Sequence, residues 1–352
     1  MNKMKASVLY GPADIRYETV EIPEIAEHEV LIKVAYSGIC GSDLPRTQAE
    51  NGARHYPLII GHEFSGTIEK VGSKTKFSQP GDRVCIAPLI PNPASIYTQE
   101  GSYGLSDGYT IIGTGRNGAM AEYVAVPENH VVKIPQDMSL LEAAGIEPAA
   151  ISFHALRLSK IEVGDTVAVL GCGPIGQFAV QCAKIFGASK VVAVDIFDSK
   201  LELAKKLGAT LTINSKKENL KERIEEEFGL GVNVVIETAG SRFTQEQSIE
   251  IVRKKGKIVF VGLSHTDLPL SAASVEKVLR GELMIKGSWN SYTAPYPGRD
   301  WEGTLHFMGE KRISSTPMIS HQISLAEVGE YLNGMFNRKI EFNKVIVAVN
   351  PE

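Results

Sequence analysis

Hydrophobic residues in the first 150 positions fall into short runs separated by turns that are rich in glycine and proline. Runs of this length, bounded by such turns, are typical of β-strands. They predict strands at residues 6–10, 30–36, 64–71, 82–86, 122–126 and 131–134. The first part of the chain is therefore expected to form a β-rich domain.

From about residue 150 the pattern changes to strand-like apolar runs that alternate with segments of helical periodicity. This alternation predicts a parallel, doubly wound sheet with helices on both faces. The expected strands are 166–170, 191–194, 232–237 and 257–261, and the expected helices are 175–186, 199–207 and 244–252. The lysine and glutamate residues at 216–227 fit the solvated face of a further helix.

After residue 286 the alternation ends. The remaining chain predicts helices at 300–309 and 325–336 and a final strand at 344–349, which we expect to return to the first domain. The fold class is therefore α/β with two domains. The first comprises residues 1–150 and is completed by 288–352, and the second comprises residues 151–287.

Three glycines with the spacing G-x-G-x-x-G connect the first strand of the second domain to its helix, and Asp195 closes the next strand. In a dinucleotide-binding turn these glycines allow the tight turn, the approach of a pyrophosphate and close packing of helix on strand. The helix N-terminus then directs its N–H groups at the phosphates. The predicted cofactor-binding residues, including the ends of later strands, are Gly171, Gly173, Pro174, Ile175, Gly176, Asp195, Ala239, Gly240 and Val261.

The carboxylate of Asp195 affects whether NAD or NADP is preferred. It can accept hydrogen bonds from the ribose 2′-hydroxyl of NAD and would repel the 2′-phosphate of NADP, and Ile196 and Phe197 supply no arginine. NAD is therefore favoured. A solvated aspartate at a strand end is the alternative interpretation.

Composition excludes several classes of protein. The 352 residues are 43% hydrophobic and 22% charged, with a net charge of −4, as in a soluble globular protein without a basic surface. No run reaches the length of a membrane span, and the start MNKMKASVLYG lacks the apolar core of a signal peptide. We expect a cytoplasmic protein with neither nucleic acid nor membrane as partner.

Four cysteines are too few for a disulfide framework in a chain of this size, and Cys40 stands apart from the others because it follows a strand in the motif GICGSD. His62 and Glu63 precede another strand, and Glu147 lies where the first domain meets the second. Thiolate, imidazole and carboxylate are the ligands that zinc takes. Taken singly, His62 could be a hydrogen-bonded core histidine and Glu147 a surface acid.

Together with the glycine fingerprint, these motifs resemble the zinc-dependent medium-chain dehydrogenases over essentially the whole chain. The shared motifs are GICGSD at 38–43, GHEFSG at 61–66, PGDRV at 80–84, IEP at 146–148 and GCGPIG at 171–176. The resemblance implies a GroES-like catalytic domain and a Rossmann domain. It also implies a catalytic zinc on Cys40, His62 and Glu147, with Glu63 as an exchangeable fourth ligand and Asp43 as the partner that orients His62.

The activity implied by the resemblance is NAD-dependent oxidation of a secondary alcohol. Zinc lowers the pKa of the substrate hydroxyl, Ser42 carries its proton away, and hydride passes to the nicotinamide. Family members usually carry a relay histidine three residues after the serine, but Pro45 stands at that position here. The proton must therefore leave by another route, through water or the cofactor ribose.

Two further stretches resemble one subfamily, the galactitol-1-phosphate 5-dehydrogenases, which oxidise galactitol 1-phosphate to tagatose 6-phosphate. They are DLPR at 43–46 together with NGARHYP at 51–57, and the segment GSWNSYTAPYPGRDW at 287–301. The resemblance implies substrate contacts from Arg46, His55, Trp289 and Asn290, and Arg54 is a further cation that could pair with a phosphate. Each cation could equally be a solvated loop residue.

Many family members bind a second, structural zinc on a lobe with the spacing C-x2-C-x2-C-x7-C. The corresponding lobe, residues 91–109, has no cysteine; Asn92, Ser95, Thr98 and Ser106 stand at those positions. We therefore expect one catalytic zinc per chain and no structural zinc.

Two alternative enzymes remain open, a dehydrogenase of an unphosphorylated polyol such as sorbitol and one of L-threonine. A third alternative is a catalytically silent nucleotide-binding protein, although the set Cys40, His62, Glu63 and Glu147 argues against it. Pairing of subunits through the sheet edge near residues 283–287, usual in the family, would give a homodimer or homotetramer.

Overall fold

The computed structural model describes residues 3–352. The chain folds into two compact units. The first contains the chain up to Glu147 together with Tyr292–Gly309 and Ser314–Glu352, and the second contains Pro148–Ser291 and Glu310–Ile313. The sequence placed these junctions at residues 150 and 287.

The first unit is built mainly from strands. They are β1 (Lys3–Gly11), β2 (Asp14–Glu21), β3 (Glu29–Gly38), β4 (Leu58–Ile59), β5 (Glu63–Val71), β6 (Arg83–Ile86), β7 (Leu89–Ile90), β8 (Thr110–Ile111), β9 (Tyr123–Pro127) and β10 (Val131–Lys133). Its helices up to this junction are α1 (Asp43–Gln48), α2 (Ile96–Gln99) and α3 (Leu140–Ala143). Single turns of 3₁₀-helix lie at Tyr103–Leu105 and Glu128–His130.

Helix α4 (Ile146–Leu158) carries the chain into the second unit, where strands and helices alternate. They are β11 (Thr166–Leu170), α5 (Pro174–Ile185), β12 (Lys190–Asp195), α6 (Asp198–Lys206), β13 (Leu211–Asn214), α7 (Leu220–Phe228), β14 (Val232–Glu237), α8 (Arg242–Ile251), β15 (Val252–Phe260), α9 (Ala272–Gly281) and β16 (Met284–Gly287).

The chain then completes the first unit, where its last strand pairs with β3. The elements are α10 (Arg299–Gly309), β17 (Ile319–Ile323), α11 (Val328–Phe336) and β18 (Lys344–Ala348), with 3₁₀ turns at Thr316–Met318 and Leu325–Glu327. The expected single helix at 325–336 is thus divided into a 3₁₀ turn and α11. Ser324 and Glu327 form a capping box at the start of this segment.

Strand β3 is the centre of the first unit. A seven-stranded sheet has the order β10-β6-β5-β3-β18-β17, and β9 also pairs with β3. A second sheet has the order β2-β1-β4. Apolar side chains from both sheets are fully buried, among them Ile32 and Phe64 of the larger sheet and Leu58 of the smaller. The β-rich character predicted from sequence is confirmed.

The second unit contains a six-stranded parallel sheet of order β13-β12-β11-β14-β15-β16. The chain reverses its direction of winding between β11 and β14, so the crevice at their carboxyl ends is a topological switch point, where ligands bind in such sheets. Val169, Val192 and Val235, on three neighbouring strands, are completely buried. The predicted doubly wound domain is confirmed.

The strands that the sequence did not predict lie at sheet edges. Strand β2, with the sequence DIRYETVE, has no completely buried residue, and β16 is exposed along its whole length. An edge strand buries little of its surface, so it carries no continuous apolar run for sequence inspection to detect. Within residues 3–352, none of the helices combines the length and the hydropathy needed to cross a bilayer.

Candidate functional site

Three strands of the first unit bring a group of polar side chains together. Gly38, the last residue of β3, pairs with Glu63 of β5 on one side and with Ile346 of β18 on the other. Cys40 follows β3, and His62 directly precedes β5. As a result, one ligand atom each from Cys40, His62 and Glu63 lies within 4.8 Å of the others. Among residues 3–352 this is the only such group of three histidine, cysteine or acidic side chains.

This donor set fits zinc, which takes sulfur, nitrogen and oxygen ligands. His62 is only 7% exposed, and its Nδ1 atom has no hydrogen-bond partner among the described residues. Burial, with the negative charges of Glu63 and Asp43, raises the pKa of the Cys40 thiol. A bound divalent cation would lower this pKa, since metal binding requires the deprotonated thiolate.

Glu147 lies outside the group of three but within its electrostatic field. It occupies the first turn of α4. Burial raises its pKa to about 7, a rise that His62 opposes and the charge of Glu63 reinforces. The structure therefore brings together three of the four predicted ligands and places the fourth nearby.

Lys344 is a member of this site that the sequence did not reveal. It is the first residue of β18 and only 4% exposed, and its Nζ donates to Glu63 Oε2 and, at 3.0 Å, to the carbonyl oxygen of Ile39. Burial opposes its charge, but Glu63 and Cys40 outweigh burial and raise the pKa of Lys344. The only signal in the sequence is a lysine that begins an otherwise apolar strand, KVIVA.

Gly38 makes room for this ion pair. A Cβ atom built at Gly38 would lie 2.4 Å from Glu63 Oε2 and 3.1 Å from Lys344 Nζ. Any side chain here would displace the paired groups. The glycine that opens the motif GICGSD thus has a packing role at the base of the site.

Asp43 lies beside His62, as expected, but its hydrogen bonds are with other groups. Its carboxylate, 0% exposed, accepts hydrogen bonds from Cys40 N at 3.0 Å and from Arg46 Nη1 at 2.9 Å. The distance from Asp43 Oδ1 to His62 Nδ1 is 3.6 Å, which is longer than a hydrogen bond. In this structure Asp43 holds the Cys40 turn and the Arg46 side chain by hydrogen bonds. It makes no hydrogen bond with His62.

Ser42 lies beside Cys40 at the exposed side of the group. Its hydroxyl donates to Cys40 Sγ at 3.3 Å and accepts from Arg46 Nη1 at 3.4 Å. His55 and Arg54 are exposed in the irregular segment that follows α1. Trp289, which is 47% exposed, and Asn290, which has a positive φ of 54°, follow β16 in the second unit.

The glycine turn in the second unit has the local geometry that a dinucleotide requires. Gly171 has φ of +90°, and a Cβ at Gly176 would lie 1.8 Å from the Gly171 carbonyl oxygen. At Gly173, by contrast, a Cβ would meet no atom of residues 3–352 within 4 Å. Two glycines therefore serve close packing, and the one that caps α5 faces open space into which a phosphate can fit.

The carboxylate of Asp195 bridges the ends of β11 and β12. Oδ2 accepts from Cys172 N at 2.7 Å, and Oδ1 accepts from Ile196 N at 2.7 Å and Phe197 N at 3.0 Å. Lys200 is a nearby cation that the sequence interpretation overlooked; its Nζ lies 5.1 Å from the centre of the Phe197 ring. The remaining predicted contacts, Ala239, Gly240 and Val261, follow β14 and β15 at the same edge of the sheet.

In the lobe at 91–109, each of the four residues that stand where many family members have zinc-binding cysteines takes part in a hydrogen bond. Ser106 Oγ accepts from Asn92 N at 2.9 Å and from Thr98 Oγ1 at 2.8 Å, and Ser95 Oγ accepts from Asp107 N at 2.9 Å. Backbone hydrogen bonds join the lobe to Tyr292 and Ala294. The lobe thus has a polar network of its own.

Comparison with known proteins gives a consistent result. Residues 26–136 match the family model of the alcohol dehydrogenase GroES-like domain, and residues 174–310 match that of the zinc-binding dehydrogenases. Galactitol 1-phosphate 5-dehydrogenase of Escherichia coli K12 is 39% identical over 91% of this chain and 92% of its own length. Sorbitol dehydrogenase of Bacillus subtilis is 34% identical over 99% of this chain and 98% of its own.

Solved structures agree with these relatives. The crystal structure of galactitol-1-phosphate dehydrogenase from Escherichia coli superposes with a TM-score of 0.92 and 37% identity, covering 98% of this chain and all of that chain. Both family models, the relatives and the fold therefore identify the same kind of protein. The chain belongs to the zinc-dependent medium-chain alcohol and polyol dehydrogenases, and it is an NAD-dependent enzyme that acts on CH–OH groups.

Proposed function

We propose that this enzyme oxidises a secondary hydroxyl of a polyol phosphate, and that its substrate is galactitol 1-phosphate, which it converts to tagatose 6-phosphate. The observation that carries the proposal is the position of Arg46. Its guanidinium is held beside Ser42 and Asp43, and both contacts use the single atom Nη1. A guanidinium has five N–H donors, so Nε and Nη2 can bind a phosphate.

The proposed zinc ligands are Cys40, His62 and Glu147. Glu63 is proposed as a fourth ligand that can leave the zinc and return to it. When bound, the zinc would supply a Lewis acid that lowers the pKa of an alcohol, and NAD would supply the hydride acceptor. Lys344 pairs with Glu63 and so holds this carboxylate at the base of the site while it is not a ligand. Asp43 keeps the Cys40 turn in place through the Cys40 N–H.

Ser42 is the proposed proton carrier. Its hydroxyl is exposed, and it both donates and accepts a hydrogen bond. A hydroxyl with these two contacts can accept a proton from a substrate hydroxyl and release another to water. This route needs no histidine at position 45, where the chain has proline.

For the cofactor, we propose that the Gly173 end of α5 binds the pyrophosphate and that Asp195 accepts hydrogen bonds from the adenosine ribose. Ala239, Gly240 and Val261 are proposed to contact the rest of the dinucleotide. His55, Trp289 and Asn290 stay proposed substrate residues. The cytoplasmic location stays a prediction from the sequence.

The test is a comparison of galactitol 1-phosphate with galactitol, assayed with NAD. A charge-assisted hydrogen bond to phosphate contributes about 1.5–3 kcal/mol, so kcat/KM for galactitol should be roughly ten- to a hundredfold lower. Arg46→Met should remove most of this difference, and Arg253→Met, at an exposed position on β15 of the second unit, serves as the control. Equal kcat/KM for the two substrates would make the enzyme a dehydrogenase of unphosphorylated polyols.

A further inference from the structure

Glu237 is a buried acid at the switch point of the parallel sheet. It is the last residue of β14 and is 0% exposed. In the register of the sheet it lies between Leu170 of β11 and Phe260 of β15. Leu170 directly precedes the glycine turn, so Glu237 lies at the floor of the crevice in which sheets of this order bind dinucleotides.

The side chain of Glu237 holds the loop that follows it. Its Oε1 atom accepts hydrogen bonds from Ala239 N and Gly240 N, both at 2.9 Å, and from the hydroxyl of Thr244 at 2.7 Å. Gly240 has φ of +65°, a conformation that only glycine adopts readily. The carboxylate therefore fixes the backbone of residues 238–241, which we call the β14 loop.

The main chain of Glu237 holds a second loop. Its carbonyl oxygen accepts from Val261 N at 2.8 Å and from Gly262 N at 3.1 Å, immediately after β15. The two loops are packed against each other, since a Cβ at Gly262 would lie 2.1 Å from Gly240 N. A shift of the β14 loop would therefore also move Val261 and Gly262.

The β14 loop also contacts the glycine turn. Thr238 Oγ1 donates to the Gly171 carbonyl oxygen at 2.7 Å, and a Cβ at Gly171 would lie 2.8 Å from the Ala239 Cβ. Three segments that form the edge of the crevice are thus joined through residues 237–240. Each of these segments contains proposed cofactor contacts.

Burial of Glu237 is costly for the fold. Burial raises its pKa, and the groups that counteract this rise are uncharged donors: the hydroxyl of Thr244 and the backbone N–H groups of Gly240, Ala239 and Ser241. Its Oε2 atom has no hydrogen-bond partner among the described residues. A buried polar atom without a partner lowers stability, so fold stability alone does not account for an acid here.

We propose that Glu237 is a positioning residue for the dinucleotide: it holds the β14 loop and, through it, the loop after β15 in the conformation that binds NAD. The inference rests on the proposed placement of the cofactor in this crevice. Glu237 acts through Ala239, Gly240 and Val261 and does not itself need to touch the dinucleotide.

Three substitutions separate this role from a merely structural one. Glu237→Asp keeps the carboxylate but shortens its reach by one methylene, Glu237→Gln keeps an acceptor oxygen at full length, and Glu237→Ala removes the acceptor. The control is Asp165→Ala, a buried acid next to the opposite end of β11 whose carboxylate accepts from Glu162 N at 2.9 Å. Dissociation constants for NADH are measured by fluorescence on the zinc-loaded protein, with Tm recorded for each variant.

We expect NADH to bind roughly tenfold more weakly to Glu237→Asp and Glu237→Ala, as the loss of one or two hydrogen bonds implies. Glu237→Gln should stay within about threefold of the wild-type dissociation constant. KM for NAD should rise while kcat at saturating NAD changes less. Asp165→Ala should lower Tm and leave NADH affinity unchanged.

If Glu237→Asp binds NADH with wild-type affinity, the inference about Glu237 is overturned and the proposed function is unaffected. Equal weakening in the Gln and Asp variants would also overturn it, because the acceptor geometry would then be irrelevant. If Glu237→Ala does not fold, the other two variants decide. Failure of the wild-type protein to bind NADH would overturn the placement of the cofactor in this crevice, and the inference with it.

Discussion

Three carboxylates have different roles in this enzyme because the groups around them differ. Glu63 is paired with the buried cation Lys344, Glu237 is surrounded by neutral donors, and Asp195 bridges two strand ends at a partly exposed position. The chemical identity of each residue is visible in the sequence, but its partner is not. At this scale, the sequence pointed to Glu63 and Asp195 as site residues but not to Glu237, Lys344 or Lys200.

Asp195→Ala should weaken NAD binding and narrow the preference for NAD over NADP. The carboxylate that accepts the ribose hydroxyl is lost, and so is the repulsion of a 2′-phosphate, so KM for NAD should rise by roughly ten- to a hundredfold. Asp198→Ala, at the exposed start of α6, is the matched control and should leave the preference unchanged. Steady-state kinetics with both cofactors provide the measurement. Turnover of the wild-type enzyme with NADP as fast as with NAD would contradict the assignment of Asp195.

Glu128 should make the stability of the protein depend on pH. Burial opposes its charge, but the N–H groups of Phe77, Lys76 and Ser78 outweigh burial and hold the pKa of this carboxyl below its usual value. A lowered pKa in the folded state contributes stability that is complete above the unfolded pKa of about 4.3 and is lost as pH falls through the folded value.

Glu128→Gln should therefore be less stable than the wild type by about 1–3 kcal/mol at pH 7, and the difference should shrink as the pH falls from 5 to 3. Urea unfolding across this range measures it. Glu69→Gln, at an exposed position on β5, should show no such trend. If the difference in unfolding free energy between the wild type and Glu128→Gln stays constant down to pH 3, the charge of the Glu128 carboxylate does not contribute to stability.

Among the elements, the lobe at 91–109 shows how neutral side chains can hold the shape of a segment without regular secondary structure over most of its length. Asn92, Thr98 and Ser106 are joined by hydrogen bonds, and Ser95 binds the backbone of Asp107. Hydroxyl and amide oxygens offer zinc neither the charge nor the softness of four thiolates. The shape of the lobe therefore depends on hydrogen bonds and on its contacts with residues 292–296.

Elemental analysis of dialysed wild-type protein should find close to one zinc per chain, all of it catalytic. A chelator should then abolish activity and leave the fold largely intact.

Cysteine variants of the lobe test the same point. The quadruple variant Asn92→Cys, Ser95→Cys, Thr98→Cys and Ser106→Cys should bind close to two zinc ions per chain, because four thiolates at these positions restore the zinc-binding spacing. The double variant Ser95→Cys, Thr98→Cys should stay close to one. Two zinc ions per wild-type chain would refute the absence of a lobe metal, and none in fully active enzyme would refute the catalytic site.

At the scale of the whole molecule, the second unit has an unpaired apolar edge. Strand β16 pairs with β15, and within residues 3–352 no strand pairs with its other side; its Met284 and Ile285 are exposed. On the adjacent α9, Leu279 is 72% exposed. An exposed edge strand with apolar neighbours is prone to pair with another chain, and a second copy of the same edge gives a closed two-fold dimer. We therefore propose a homodimer, which can pair further into a homotetramer.

Leu279→Glu combined with Ile285→Glu should convert the oligomer to monomers, because both substitutions would bury charge in the proposed interface. Light scattering coupled to size-exclusion chromatography measures the mass. Leu230→Glu, which alters a side chain that is 84% exposed between α7 and β14, is the matched control and should leave the mass unchanged. A monomeric wild-type protein, or an oligomer that survives both substitutions, would refute pairing through this edge.

The sequence by itself determined the two-domain α/β architecture and the position of the glycine turn, and it supplied the residue types that are proposed for the metal site. These follow from local periodicity and from motifs in which neighbouring residues act together, such as Gly171, Gly173 and Gly176. Only the tertiary structure decided which distant residues meet. The pairing of β3 with β5 and β18 brings Lys344 to Glu63, and the order of the parallel sheet places Glu237 beneath the crevice. Such contacts depend on strand register, which no local pattern encodes.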